Sequence, residues 1–183
     1  IIINYILIKM TFYFKKKKFY LINNTTLIEN SKFNDLRGQI STIVDKSIQT
    51  QIIKKKFTNY SDKIMIRRKN TLTGIHGDKK TWKVLSCIKG KILVVLVNCD
   101  RKNKNFGKYY KITLKGKDTK SVIIPPNVGN SYLCLENENI IFYKNLFNGK
   151  YNDFDKQFTY KWNNKIFKIK WPISKPILSK RDK

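Results

Sequence analysis

Thr73-Gly-Ile-His-Gly-Asp-Lys-Lys-Thr-Trp-Lys-Val-Leu-Ser-Cys-Ile-Lys-Gly-Lys-Ile-Leu-Val-Val-Leu-Val-Asn-Cys-Asp100 sets the terms for the rest of the chain. Its second half holds two runs of strand length, 82–88 and 91–98, parted by Gly90. Ile92 to Val97 do not alternate between apolar and polar, the pattern of a central strand covered on both faces. The first half carries His76 beside two glycines, and it is the single histidine of 183 residues. Histidine is the one side chain that ordinarily gains and loses a proton near neutral pH. A strand core and a proton carrier therefore lie within one short segment.

Outward from this stretch the grammar stays that of strands. Residues 64–68, 108–114, 121–124, 131–135 and 140–145 are short apolar or alternating runs separated by turn residues. In 108–114, Tyr110, Ile112 and Leu114 share one face while Lys111, Thr113 and Lys115 share the other. The tail continues the pattern with Phe158, Tyr160 and Trp162, then Phe167, Ile169 and Trp171, before Pro172 and Pro176 stop further pairing. Upstream, 12–30 alternates loosely around the lysine run 15–18 and suits one or two edge strands. Asn34, Asp35 and Gly38 mark a turn between extended segments. Residues 41–60 suggest a short amphipathic helix. Ile, Tyr, Phe and Val outweigh Ala, which favours a pleated, half-buried surface. The expectation is an all-β sandwich or barrel with short helical segments, one domain over 31–183 and an N-terminal extension and edge strand over 1–30.

The formal charge of +27 invites a polyanion as partner. Only five of the 39 basic residues are Arg, the residue suited to bidentate phosphate and base contacts. The lysines are spread along the whole chain among many Asn, Ile and Tyr residues, as AT-rich coding produces. The charge reads as solvated surface with a general attraction for anions, not as a nucleic-acid interface. Cys87, Cys99 and Cys134 lie singly in apolar strands and read as buried free thiols of a cytoplasmic protein, with no zinc-ligand spacing. The apolar run Ile1 to Phe14 is broken by Asn4, Lys9 and Thr11, and it is too short for a membrane span. It also has no basic segment before it and no small-residue cleavage site after it.

Taken alone, the candidate proton carriers stay ambiguous. His76 in a glycine turn is compatible with a merely solvated ring, Lys83 is one of 34 lysines, and Tyr143 in Ile140-Ile-Phe-Tyr-Lys144 suits a core or rim aromatic. The order of short motifs adds information. Phe33-Asn-Asp-Leu-Arg-Gly38 matches F-x-D-x-R-G, Gly74-Ile-His76 matches G-L-H, and Lys83-Val-Leu is followed by Gly90-Lys-Ile-Leu-Val-Val. Phe106-Gly107, Ile124-Pro125, Tyr143-Lys144, Trp162-Asn163, Trp171-Pro172 and Leu178-Ser-Lys-Arg-Asp182 complete the series.

In this order the motifs resemble the dTDP-4-dehydrorhamnose 3,5-epimerase family, the RmlC-like cupins, from about Lys32 onward. The Gly-Ile-His-Gly-Asp and Gly-Asn elements resemble a variant branch that includes epimerases of GDP-linked 4-keto-6-deoxyheptoses. The resemblance implies a jelly-roll barrel, used without metal or other cofactor. It also implies an isomerase that inverts C3, C5 or both of a dTDP- or GDP-linked 4-keto-6-deoxy sugar through an enolate. By the same resemblance His76 is the base, Asp182 its partner, Lys83 the cation at the enolate oxygen and Tyr143 the acid. Arg37, Asn130 and Lys120 are expected to bind substrate. Asn130 stands where the family's loop carries a second histidine, and Thr73 where it carries an arginine. The family also implies a homodimer built near the N-terminus. Two other readings stay open: a nucleotide-sugar 3,4-ketoisomerase, and a non-catalytic cupin that binds a polyanion.

Overall fold

The computed structural model describes residues 16–151 and 154–183. The strands are β1 Lys16–Phe19, β2 Thr25–Glu29, β3 Lys32–Asp35, β4 Gly38–Ser41, β5 Asn59–Arg68, β6 Ile75–Gly77, β7 Trp82–Lys89, β8 Lys91–Asn98, β9 Tyr109–Lys115, β10 Lys120–Ile124, β11 Val128–Cys134, β12 Glu138–Phe147 and β13 Phe158–Tyr160. They form a six-stranded sheet in the order β1-β2-β10-β7-β12-β5, a five-stranded sheet in the order β13-β6-β11-β8-β9, and the separate hairpin β3-β4. All ladder pairings are antiparallel.

From β5 to β13 the chain changes sheet at every connection except β8 to β9, as in the jelly roll expected from the sequence. The main core fills the space between the sheets. Leu85, Val122, Ile124 and Ile141 of one meet Ile92, Val94, Leu96, Ile112 and Leu114 of the other. Two further layers explain why β7 and β8 do not alternate. Val84, Ile123 and Leu146 face outward beneath Ile48 and Ile53, and Val95 and Val97 face outward beneath Phe167, Phe158, Tyr160 and Trp171. Both faces of both sheets are thus apolar at their centres, and burial of that area is the main favourable term.

Several sequence expectations shift in detail. The helix expected over 41–60 is confined to a turn over 46–53. Lys54, at φ 57°, ends it in the left-handed region, and β5 begins at Asn59. Before the turn, the β-branched run Thr42-Ile-Val44 disfavours helix. Phe167, Ile169 and Trp171 cover the five-stranded sheet without forming a strand. Residues 16–29, in contrast, form β1 and β2 at the edge of the six-stranded sheet as the alternation over 12–30 suggests, with β2 paired to β10. The run Ile1–Phe14 lies outside the described residues.

All three cysteines are free and buried. Burial pushes the thiols up to about 11 for Cys87 and about 12 for Cys99 and Cys134, which keeps them protonated. Among the described residues no helix is long and apolar enough to cross a membrane.

Candidate active site

The two sheets part at one end to enclose a cavity of about 880 Å³, within the range that takes a small organic ligand. One wall holds Asn130 and His76, which belong to a row across three strands of the five-stranded sheet. Asn130 of β11 is in register with His76 of β6, which is in register with Thr159 of β13. Residues in register across strands present their side chains on one face, so the three act as a unit. The other wall belongs to the six-stranded sheet, where Lys83 of β7 and Tyr143 of β12 face the same space. Lys63, Met65 and Arg67, alternate residues of β5, extend that wall.

Glycines on both sides of His76 allow its placement. A Cβ on Gly74 would stand 2.7 Å from Asp182 Oδ1 and 3.2 Å from His76 Cε1, and one on Gly77 would stand 2.4 Å from Phe158 Cζ and 2.7 Å from the Val128 carbonyl oxygen. Neither space tolerates a side chain, and the sequence supplies none.

The imidazole is held at both nitrogens. Nε2 lies 2.8 Å from Asp182 Oδ1, and Nδ1 lies 3.1 Å from Thr159 Oγ1. A carboxylate only accepts, so Nε2 carries the hydrogen and Nδ1 the lone pair. Thr159 Oγ1 accepts from Arg181 Nη2 at 2.7 Å, which leaves its own hydrogen for Nδ1. Asp182 sits in the C-terminal turn 180–182, and its other oxygen accepts from Ser179 Oγ at 2.8 Å. Burial works to raise the Asp182 carboxyl. The bonds from His76 and Ser179 outweigh it and hold the group below its ordinary value.

Across the cavity the groups are drier. Lys83 Nζ donates to Asn130 Oδ1 at 3.2 Å, and Asn130 Nδ2 donates to Tyr143 Oη at 2.6 Å. Burial pushes Lys83 down to about 8, aided by Arg181 and Lys63 and opposed by Asp78. Burial likewise lifts Tyr143 well above 10, so its phenol is neutral at physiological pH. A proton acceptor on one wall thus faces a neutral proton donor and a buried cation on the other.

Of the residues singled out in the sequence, His76, Lys83, Tyr143, Asp182 and Asn130 all line this cavity. Arg37 and Lys120 do not. Arg37 lies at the β3–β4 turn, where its exposed guanidinium pairs with Asp35, because that hairpin joins neither main sheet. Lys120 opens β10 at the end away from Ile124, the residue in register with Lys83. It lines a separate cavity of about 270 Å³ with Asn30, Gln39 and Thr119. Thr159, Ser179 and Arg181 escaped the sequence reading. Ser179 and Arg181 had a signal, as parts of the Leu178–Asp182 motif, and Thr159 had none.

The family model for dTDP-4-dehydrorhamnose 3,5-epimerase matches residues 20–183. The chain belongs to this family. Among curated relatives, dTDP-4-dehydrorhamnose 3,5-epimerase of Salmonella typhimurium is 24% identical over 165 residues, covering 88% of each chain. That of Shigella flexneri is 23% identical over 164 residues, covering 88% of this chain and 89% of its own. The solved dTDP-6-deoxy-D-glucose-3,5-epimerase from Legionella pneumophila, in complex with dTDP-4-keto-L-rhamnose, superposes with a TM-score of 0.83 at 19% identity. It covers 93% of this chain and 90% of its own. The Bacillus anthracis dTDP-4-dehydrorhamnose 3,5-epimerase, with TDP and pyrophosphate bound, gives 0.82 at 22% identity, covering 93% and 97%. Such likenesses carry the jelly-roll architecture across, and the side chains of the cavity come from this chain's own geometry.

Proposed function

We propose that this epimerase-family chain inverts C3, C5 or both of a 4-keto-6-deoxy sugar carried on a nucleoside diphosphate. The observation that carries the reading is the opposition of His76, with Asp182, on one sheet and neutral Tyr143, beside Lys83, on the other. A hydrogen on the carbon beside a ketone is removable when the enolate oxygen is stabilised. His76 Nδ1 takes that proton once the substrate displaces the Thr159 hydroxyl. The C–H electrons form the new C=C bond, and the carbonyl electrons move onto oxygen, where the Lys83 ammonium meets them. The enolate oxygen then re-forms the C=O bond, the C=C electrons take the Tyr143 proton on the opposite face, and the carbon is inverted. The tyrosinate regains a proton from solvent as His76 loses one, so each inversion leaves the enzyme unchanged. Lys63, Arg67, Arg68 and Arg181 around the cavity suit the diphosphate.

The same reading includes a homodimer. β5 is a ten-residue edge strand with Tyr60, Ile64 and Ile66 about two-thirds exposed, and the β3–β4 hairpin displays Phe33, Leu36 and Ile40. A long apolar edge of this kind calls for cover. A second copy supplies it and carries Arg37 on the hairpin toward its neighbour's cavity.

Incubation in deuterated water with dTDP- and GDP-linked 4-keto-6-deoxy sugars tests the chemistry. Deuterium at C3 or C5 of an inverted product is expected. No incorporation with either series would overturn the reading.

A further inference from the structure

We infer that Asn130 is a positioning residue that fixes which way the Tyr143 hydroxyl hydrogen points, its amide being oriented by Lys83 so that the hydrogen faces the cavity. The inference rests on the reading of Tyr143 as acid and adds a residue that acts through it.

The argument is one of donors and acceptors. An ammonium has only donors, so the Asn130 atom 3.2 Å from Lys83 Nζ is the amide oxygen. That choice turns the amide nitrogen toward Tyr143 Oη, 2.6 Å away. The amide nitrogen only donates, so the phenol oxygen accepts there and its single hydrogen points elsewhere. Tyr143 lines the cavity and is otherwise enclosed, with 9% of its surface exposed, and the cavity is the open direction. Lys83 and Asn130 are 7% and 5% exposed, so bulk water does not compete for the chain and its bonds polarise one another. The chain also spans the barrel, because Asn130 belongs to the five-stranded sheet while Lys83 and Tyr143 belong to the six-stranded one.

The amide does not titrate, so the polarity of the chain follows from the lysine alone. A carboxylate at 130 has nearly the same shape but accepts at both ends. It would take the Tyr143 hydrogen onto itself and turn it from the cavity. A neutral imidazole accepts at one nitrogen and donates at the other, so it keeps the polarity.

The first measurement needs no substrate. In ¹⁵N-labelled protein the Asn130 side-chain amide, identified by its loss in Asn130→Asp, is expected to show one slowly exchanging, hydrogen-bonded proton that moves in Tyr143→Phe. An amide pair that exchanges freely and ignores Tyr143→Phe overturns the inference. The second measurement compares solvent-deuterium exchange with inversion, once the wild type is seen to turn over a sugar. In Asn130→Asp, His76 still removes and returns a proton while Tyr143 no longer delivers one. The ratio of exchange to inversion is therefore expected to rise at least about tenfold. Equal loss of both, as a merely structural role would give, or an unchanged ratio, overturns it. Asn130→His is expected to keep exchange and inversion coupled and serves if Asn130→Asp does not fold; uncoupling in the histidine variant counts against the inference. A wild type that exchanges no sugar defeats the assigned reaction, and the amide measurement still decides the hydrogen-bond polarity.

Discussion

Lys83 shows the tension between stability and chemistry at the scale of one residue. The residue is 7% exposed, and its ammonium is pushed down from 10.5 to about 8. At about 1.4 kcal/mol per unit, keeping that charge buried costs the fold on the order of 3 kcal/mol at neutral pH. A folded value below the unfolded one means that stability rises with pH through the window from about 8 to 10.5. Lys83→Met is expected to abolish deuterium exchange while raising stability. The lost bond to Asn130 returns about 1 kcal/mol of the gain, so chemical denaturation should show a net 1–2 kcal/mol. Asp182 has the opposite sign. Its lowered carboxyl contributes stability that is complete above its ordinary value of 3.8 and is lost as pH falls through the lower folded value. The stability gap between wild type and Asp182→Asn should therefore close in acid. The same variant should mix the His76 tautomers, visible without overlap because the chain has one histidine, and slow turnover by on the order of 10²-fold or more. These residues were legible because the motif order named them. Thr159 was not, since an exposed threonine in a strand carries no mark of its partner until registry places it beside His76.

At the scale of elements, β7, β8, β9 and β12 were legible because apolar runs of strand length have few alternatives. β6 was not. Ile75-His-Gly77 is three residues long, with a glycine inside it and another just before it, and only pairing on both sides, to β11 and to β13, makes it a strand. Tertiary pairing decided where local propensity was silent. Gly77→Ala puts a methyl into Phe158 and the Val128 carbonyl at once. A loss of about 1–3 kcal/mol in thermal or denaturant unfolding is expected, with His76 displaced and turnover reduced beyond what the unfolded fraction explains. The helical turn over 46–53 ends where Lys54 takes the left-handed region, which the sequence pattern does not mark. The alternation that defines β5 begins earlier than its apolar run, at exposed Asn59 and Tyr60.

At the scale of the molecule, the exposed edge of β5 argues for a second copy. Light scattering behind a sizing column should give about twice the 21.7 kDa of one chain. Ile64→Glu with Ile66→Glu, which puts charge on the exposed face of the edge, should give a monomer that keeps its fold by circular dichroism. Retention of the dimer by that double variant would place the interface elsewhere.

The order of strands in the six-stranded sheet also governs how the chain reaches this state. Within it β1 and β2 are the one consecutive pair; Ile28 must find Ser121, and Ile64 must find Phe142. Pairings so distant along the chain place folding on the scale of milliseconds to seconds. Throughout that wait β5 lacks the pairing to β12 that it has in the fold. Lys63, Arg67 and Arg68 then act before there is any cavity to line, since charges set into an apolar strand keep it from pairing with the wrong neighbour. The cations that line the finished cavity first serve as guards against aggregation.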